Sequence, residues 1–141
     1  MVKYKVKRGE PVIFDNDLEF EISKYILQIA NEDKLNFFAL NICRDHVHLI
    51  IKCFVDCLEN IIRKIKGKST QLYKDNNEIE DVFHLWQAGF KRIEIKNKIY
   101  FFKAVNYVIN NRKKHELPPN IEMQRLVDKF MQKHATPFPL A

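Results

Sequence analysis

Apolar and polar positions along the chain follow two different periods, and each period predicts a different element. Near the N-terminus "VKYKVK" alternates strictly, with Val2, Tyr4 and Val6 apolar, which is typical of a half-buried strand. From Asp17 to Asn31 the apolar residues recur every three or four positions. We therefore expect an amphipathic first helix there, with Asp and Asn residues at its start as capping candidates.

The middle of the chain predicts a hairpin followed by a second helix. The segments "LNFFALNIC" and "HVHLIIKCF" are rich in aromatic and branched residues, and Arg44 and Asp45 offer a tight connection between them. Apolar residues then repeat at helical spacing from Cys57 to Lys74, with basic residues between them.

The last third predicts one more strand and two more helices. The segment "VFHLWQAGFKRIEI" is strand-like and ends in alternation. A third helix is expected from Asn97 to Lys114, where "LPP" stops it, and a final amphipathic helix from Asn120 to His134. The core-facing stripe expected on the third helix consists of Phe101, Phe102, Val105, Val108 and Ile109.

The order of these elements is strand, helix, strand, strand, helix, strand, helix. A β-α-β-β-α-β core of this kind matches the ferredoxin-like pattern, so we expect an α+β fold with an antiparallel sheet, a third helix and a further terminal helix. Because this fold hosts many functions, it sets only a prior for what the protein does.

Composition narrows the class of partner. The 141-residue chain carries a formal net charge of +6 and has a pI of about 9.2, which suits a polyanion such as nucleic acid, although scattered surface lysines give the same balance. Three cysteines argue against a disulfide framework, and no apolar run approaches membrane-spanning length. The N-terminus lacks the apolar core of a signal peptide, so we expect a cytoplasmic protein with no membrane partner.

Two histidines in the second hairpin strand are the first candidate site. His46 and His48 share one face of a strand and can converge on a divalent ion, but the short motif alone favours an ordinary solvated sheet face. A zinc site with Cys43, Cys53 and Cys57 is disfavoured, because strand parity places the cysteines away from the histidines. We expect these thiols to pack as small apolar groups.

The third helix supplies a second candidate pair. Tyr107 and Asn111 are four residues apart, so a phenol and an amide oxygen neighbour each other on one helix face. An amide oxygen is a ligand for a hard cation such as Mg²⁺, and tyrosine is a known covalent nucleophile. Tyrosine at the edge of an amphipathic helix is also ordinary, so this pair alone decides nothing. The remaining histidines are interpreted as surface residues: His84, His115 and His134.

Together these segments resemble the single-tyrosine HUH transposases of insertion sequences and REP-associated elements. "DHVHLII" resembles the histidine–hydrophobic–histidine motif of that family, and "NYVINN" resembles its tyrosine helix. "KVKRG" with "VIF" resembles the first strand and turn, and "LWQAGFKRIEI" the "W…GF" strand. The similarity covers most of residues 2–117. Relatives often have Met-Pro where this chain has Cys43 and Arg44, and REP-associated relatives often have Pro where it has Arg112.

The resemblance implies an enzyme with a defined site. It implies that His46, His48 and Asn111 bind Mg²⁺ or Mn²⁺ and that Tyr107 cleaves single-stranded DNA at or near a hairpin, leaving a 5′-phosphotyrosine. Residues 1–117 would then form the catalytic domain, with residues 118–141 as a C-terminal helix and tail. Relatives occur as homodimers or as monomers.

The bound DNA is expected to contact mainly basic residues. Trp86 and Phe90 either stack on bases or, as we favour, pack in the core. The basic residues expected at the DNA are Arg63, Lys64, Lys66, Lys68, Lys91, Arg92, Arg112, Lys113 and Lys114.

An alternative function remains open at this point. A catalytically silent or domesticated nucleic-acid-binding protein of ferredoxin-like fold would show the same basic charge and the same order of elements. The two hypotheses differ in whether Tyr107 forms a covalent bond to DNA.

Overall fold

The computed structural model describes residues 14–44, 46–79, 85–86 and 89–134. The strand expected at residues 2–6 lies outside this part of the chain. The described helices and strands are α1 (Asn16–Glu32), β1 (Asn36–Cys43), β2 (His46–Lys52), α2 (Val55–Asn76), α3 (Lys98–Ile109), α4 (Asn111–Lys114) and α5 (Ile121–Lys133).

The predicted hairpin is confirmed. Strands β1 and β2 pair antiparallel, and Arg44, in the connection between them, adopts a left-handed φ of 56°. The register shifts between Phe37 and Ala39, which leaves Phe38 as an extra residue in β1. Beyond this bulge the pairing gives the hairpin two faces. We define the back face by the pairs Leu40–Leu49 and Ile42–Val47, and the front face by the pairs Ala39–Ile50, Asn41–His48 and Cys43–His46.

The main core lies on the back face. Helix α1 begins after Asp15, whose carboxylate accepts from the backbone N–H of Leu18 at 2.9 Å. Its Ile22, Ile26 and Ile29 are almost completely buried and belong to one apolar cluster with the back face of the hairpin. Helix α2 adds Ile65 to this cluster, and α5 adds buried residues as well. Helices α1 and α5 therefore cover the back face, and α2 packs on α1 to extend the same cluster.

Of the described helices, α3 and the adjoining single turn α4 cover the front face. Ala39, Ile50 and Val108 form a small buried cluster, against which Phe101 and other α3 residues pack. The ring of Phe101 meets that of Phe38 edge-on at 5.2 Å between centroids. This packing fixes which side of α3 faces the hairpin.

The apolar stripe predicted for the third helix was partly wrong. Phe102 and Ile109 are 52% and 51% exposed, and the packed residues are Phe101, Ala104, Val105 and Val108. These four follow the i, i+3, i+4, i+7 spacing of one helix face, whereas Phe102 and Ile109 fall outside it. The width of the hairpin limits how much of the helix it covers.

Helix boundaries agree closely with the sequence for three helices. The first, second and last predicted helices correspond to α1, α2 and α5, and Asn120 caps α5 by accepting from the N–H of Met123. The third predicted helix is divided at Asn110 into α3 and the single turn α4. Its end is confirmed, since the chain leaves the helix before the two prolines.

The strand predicted from "VFHLWQAGFKRIEI" does not appear in the residues that the structure describes, namely 85–86 and 89–95 of that segment. Ile95 packs against the front-face cluster, but Ile93 is 64% exposed. Alternation predicts which side chains would be buried in a strand, yet a strand also needs a partner backbone, and none of the described residues pairs with this segment. The described chain is thus a mixed α+β structure with a two-stranded antiparallel sheet, and the full ferredoxin-like sheet is not confirmed.

Within the described ranges, no helix is both long and apolar enough to cross a membrane.

Candidate metal and tyrosine site

The two histidines of β2 share the front face, as strand parity predicted. Both side chains are half-buried, their ring centroids are 6.3 Å apart, and the rings are nearly parallel at 17°. Opposite His48, Asn41 of β1 donates from Nδ2 to the carbonyl oxygen of Val108 at 2.8 Å. This buried bond ties the end of α3 to the hairpin directly beside the histidines.

Tyr107 lies next to this pair. Its ring is 5.8 Å from that of His48, at an angle of 88°, and its side chain is 49% exposed. The packing of Val108 into the front-face cluster places the preceding residue at the edge of the helix contact, between the hairpin and solvent. The predicted nucleophile is therefore accessible and adjacent to one of the predicted metal ligands.

Asn111 is fully buried at the start of α4. Neither its oxygen nor its nitrogen has a hydrogen-bond partner of normal geometry. The Asn111 side chain lies close enough to His48 to raise the pKa of its imidazole, but the contact does not have the geometry of a regular hydrogen bond. A buried amide without a hydrogen-bond partner lowers the stability of the fold by about 1–3 kcal/mol. A bound ligand that pairs with this amide would explain why asparagine occupies the position.

Burial is the main cause of a lowered pKa at the His48 imidazole. The charges of His46 and His115 lower this pKa further, while the contact with Asn111 raises it. A lowered pKa keeps the ring neutral, which is the form that binds metal ions. The donor set of two imidazoles and one orphaned amide oxygen thus fits a divalent cation.

His115 is exposed, as predicted, but the prediction that it does not pair with the histidine motif was wrong. Its ring is 6.5 Å from that of His46 and almost parallel to it, at 5°. The spacing of Tyr107, Asn111 and His115, four residues each, would have indicated this, because it puts all three on one helix face. Of the other two histidines, His134 packs on Phe130, and His84 lies outside the described residues.

Lys114 adds a positive charge at the tyrosine. Its Nζ lies 4.7 Å from the centroid of the Tyr107 ring, in a cation–π contact. The half-exposed ring of Tyr107 therefore has an ammonium group beside it.

Arg112 was predicted to contact DNA, and the structure corrects this. The residue is 8% exposed, and its guanidinium donates to Glu19 Oε1 at 2.7 Å, to the carbonyl of Ile42 at 2.9 Å and to the carbonyl of Pro118 at 2.6 Å. The donors are thus used inside the protein. Sequence reasoning missed this because the partner, Glu19, is distant in the chain.

The basic residues predicted on α2 lie on a helix of the back-face core, away from the histidines. Two of them form ion pairs at the C-terminal end of α1: Lys68 with Glu32, and Lys64 with the capping residue Asp33 at 2.7 Å. Arg63 pairs within its own helix, and Lys66 donates to the carbonyl of Gly89. Because α2 packs with α1 in the back-face cluster, we do not expect its basic residues to share one DNA surface with Tyr107.

Outside α2, four of the predicted DNA contacts are accessible. Lys91, Arg92, Lys113 and Lys114 are exposed. The preference for core packing is confirmed for Trp86, which joins the main cluster and donates from Nε1 to Ser69 Oγ at 2.8 Å. It is wrong for Phe90, which is exposed.

The parity argument about Cys43 was also wrong. Cys43 pairs directly with His46 across the hairpin, so the two residues share the front face, because parity does not carry through the turn. The thiol is nonetheless buried, which raises its pKa to about 11 and keeps it protonated. No group of three or more His, Cys, Asp or Glu side chains suited to a metal occurs in the described ranges, so a site at the histidine pair depends on Asn111.

The fold and site define a class: a small α+β protein in which a histidine pair on one strand faces a tyrosine on a helix. A family model described as "Transposase IS200 like" matches residues 2–111, well over half of the chain. The chain belongs to the IS200-like transposase family, and the resemblance to single-tyrosine HUH transposases is confirmed. This membership indicates a DNA-processing enzyme of the transposase type. Searches of curated proteins and of solved structures returned no match.

Proposed function

We propose that this protein is a metal-dependent single-stranded DNA endonuclease and strand transferase that acts through a covalent 5′-phosphotyrosine at Tyr107. One observation carries the proposal: Tyr107 and the orphaned amide of Asn111, on the consecutive helices α3 and α4, both lie beside His48 of the distant strand β2.

His46, His48 and Asn111 would hold the divalent ion, Mg²⁺ or Mn²⁺. When bound, such an ion supplies Lewis-acid stabilisation of charge on the scissile phosphate and orients it. Asn111 contributes an amide oxygen, which is the hard ligand that these cations prefer. The two imidazoles contribute nitrogen ligands from the rigid hairpin.

Tyr107 carries out the covalent step. Its phenol gives up a proton, Oη attacks the phosphorus atom, and the bond from phosphorus to the 3′ oxygen breaks. The 3′ oxygen takes up a proton and leaves as a free hydroxyl, while the 5′ side of the strand stays on the tyrosine. Because one phosphodiester replaces another, a 3′-hydroxyl can attack the adduct and join strands without ATP.

Positive charge near the tyrosine supports the binding of a phosphate backbone. Lys114 lies over the Tyr107 ring, and the neighbouring Lys113 is exposed. Together with Lys91 and Arg92 these residues are the proposed DNA contacts, which replaces the proposal that included α2. Contacts of this type make binding weaken steeply as salt concentration rises.

The partner is single-stranded DNA with hairpin structure. Within one chain Tyr107 already lies beside His48, which supports a site assembled in cis. A monomer is sufficient for such a site, and a homodimer with two cis sites is equally compatible with it.

A covalent-adduct assay tests the proposal. The protein is incubated with single-stranded hairpin oligonucleotides, including those that flank its gene, and with Mg²⁺ or Mn²⁺, and then run on a denaturing gel. We expect a protein–DNA band that is lost in Tyr107→Phe. Tyr100→Phe is the matched control, because Tyr100 is a similarly exposed tyrosine on the same helix, and it should retain the band.

Two outcomes would contradict the proposal. A band that survives in Tyr107→Phe would assign the nucleophile elsewhere. Salt-dependent binding of every hairpin with no band at all would favour the catalytically silent nucleic-acid-binding protein instead.

A further inference from the structure

A buried carboxylate connects the hairpin that carries His46 and His48 to the segment that carries Asn111. Glu19 of α1 is completely buried, and it accepts hydrogen bonds from three separate segments. The backbone N–H of Arg44 donates to Oε2 at 2.6 Å, and Arg112 Nη1 and Asn120 Nδ2 donate to Oε1 at 2.7 and 3.0 Å. A carboxylate is buried only when it is paired in this way.

The segments that Glu19 holds are those that flank the candidate ligands. Arg44 lies in the hairpin connection, two residues before His46. Arg112 directly follows Asn111 and also donates to the carbonyl of Ile42, in the strand that pairs with the histidine strand. Glu19 contacts none of the candidate ligands. It holds Arg44, which lies two residues before His46, and Arg112, which directly follows Asn111.

A second set of contacts reinforces the same connection. Asn16, one turn before Glu19, accepts from Arg44 Nη1 at 3.0 Å and from Arg112 Nη2 at 3.2 Å. Its carbonyl oxygen accepts from Asn120 at 2.9 Å. The planar guanidinium of Arg112 reaches several acceptors at once, which holds α4 in one position against α1 and the hairpin.

We propose that Glu19 is a positioning residue that sets the separation between the histidine strand and Asn111, and thereby the affinity of the site for its divalent ion. This inference rests on the proposed function, because it requires His46, His48 and Asn111 to bind the ion. Disturbing the groups that orient metal ligands typically lowers metal affinity by about 10–100-fold.

The test measures Mn²⁺ binding to the free protein, without DNA, by titration calorimetry or by electron paramagnetic resonance. We expect Glu19→Gln to weaken binding by at least about tenfold. The matched control is Ile29→Ala, which removes a fully buried side chain from the same helix, outside the Glu19 contacts, and should change affinity less than about twofold. Circular dichroism verifies that each variant is folded at the temperature used.

Arg112→Lys provides a second variant if Glu19→Gln does not fold. Lysine keeps the charge but cannot bond to Glu19, Ile42 and Pro118 together, so Mn²⁺ binding should again weaken while Glu19 stays paired. In an Asn111→Ala background neither change should weaken binding much further, because the ligand that they position is already absent.

The outcomes separate the inference from the function on which it rests. If His46→Ala and His48→Ala lower Mn²⁺ affinity but Glu19→Gln or Arg112→Lys behaves like Ile29→Ala, the positioning role is overturned and the metal site stands. If His46→Ala and His48→Ala leave Mn²⁺ affinity unchanged, the proposed metal site itself is wrong, and the positioning role is overturned with it.

Discussion

The two faces of the β1–β2 hairpin differ in what covers them. On the back face, three helices close over a continuous apolar cluster in which Ile22 and Ile29 are completely buried. On the front face, the described cover consists of α3 and the single turn α4, and the His46–His48 pair stays half-buried and Tyr107 half-exposed. The same two strands therefore supply stability on one side and an accessible polar site on the other. Because the helices leave part of the front face uncovered, the site is reachable from solvent.

The largest expected effect comes from removing a front-face histidine. His48→Ala should lower the rate of DNA cleavage by at least about a hundredfold, because metal-ion stabilisation of a phosphoryl transition state is worth several kcal/mol. The free energy of unfolding should change by only about 1 kcal/mol, since the side chain is half-buried and outside both apolar clusters. Single-turnover cleavage and urea unfolding measure the two quantities. If His48→Ala instead unfolds the protein and leaves cleavage per folded molecule unchanged, the front-face histidine has a structural role and not a catalytic one.

The back face should show the opposite response. Ile29→Ala should lower the free energy of unfolding by about 2–5 kcal/mol, because it opens a cavity among buried aliphatic side chains. Its cleavage rate, measured where the variant is still folded, should stay within about twofold of the wild-type rate. Urea denaturation with a matched cleavage assay makes the comparison, and a large loss of rate in the folded variant would show that the two faces are coupled.

The smallest expected effect is a difference in thiol reactivity, which reports how well the front face is shielded from solvent near the turn. Cys43 shares that face with His46, but burial raises its thiol pKa to about 11, whereas Cys57 at the start of α2 is exposed. The reactive thiolate of Cys43 is therefore scarce at pH 8 and grows only as pH rises towards 11. We expect a thiol reagent to modify Cys57 at least about tenfold faster than Cys43, as followed by peptide mass spectrometry. Equal rates would mean that the turn end of the front face is open.

Sequence patterns predicted the elements whose formation depends on local periodicity. The spacing of Ile22, Ile26 and Ile29 indicated α1, and "HVHLIIKCF" indicated β2 and the shared face of the histidines. Helical spacing also predicted that Tyr107 and Asn111 share one helix face, but the helix divides at Asn110 and places them on α3 and α4. These features are set by neighbours a few residues away, which a single sequence displays.

What the sequence did not reveal depends on contacts between distant segments. The alternation around Ile93 could not show whether a partner strand pairs there, and the exposure of Phe102 depends on the width of the hairpin below it. The Glu19–Arg112 pair joins α1 to α4, and only the fold brings these residues together. One clue was present: Glu19 lies on the stripe that contains Ile22 and Ile26, where a lone carboxylate requires a buried partner.

The most direct test of the central claim locates the covalent bond to DNA. After reaction with a hairpin oligonucleotide and Mn²⁺, the protein is digested with nuclease and trypsin and analysed by tandem mass spectrometry. Trypsin cleavage after Lys103 and Arg112 releases residues 104–112, whose one tyrosine is Tyr107. We predict a nucleotide attached through a phosphodiester to Tyr107 in this peptide. A nucleotide adduct on any other residue, or no adduct where the hairpin has been cleaved, would contradict the claim.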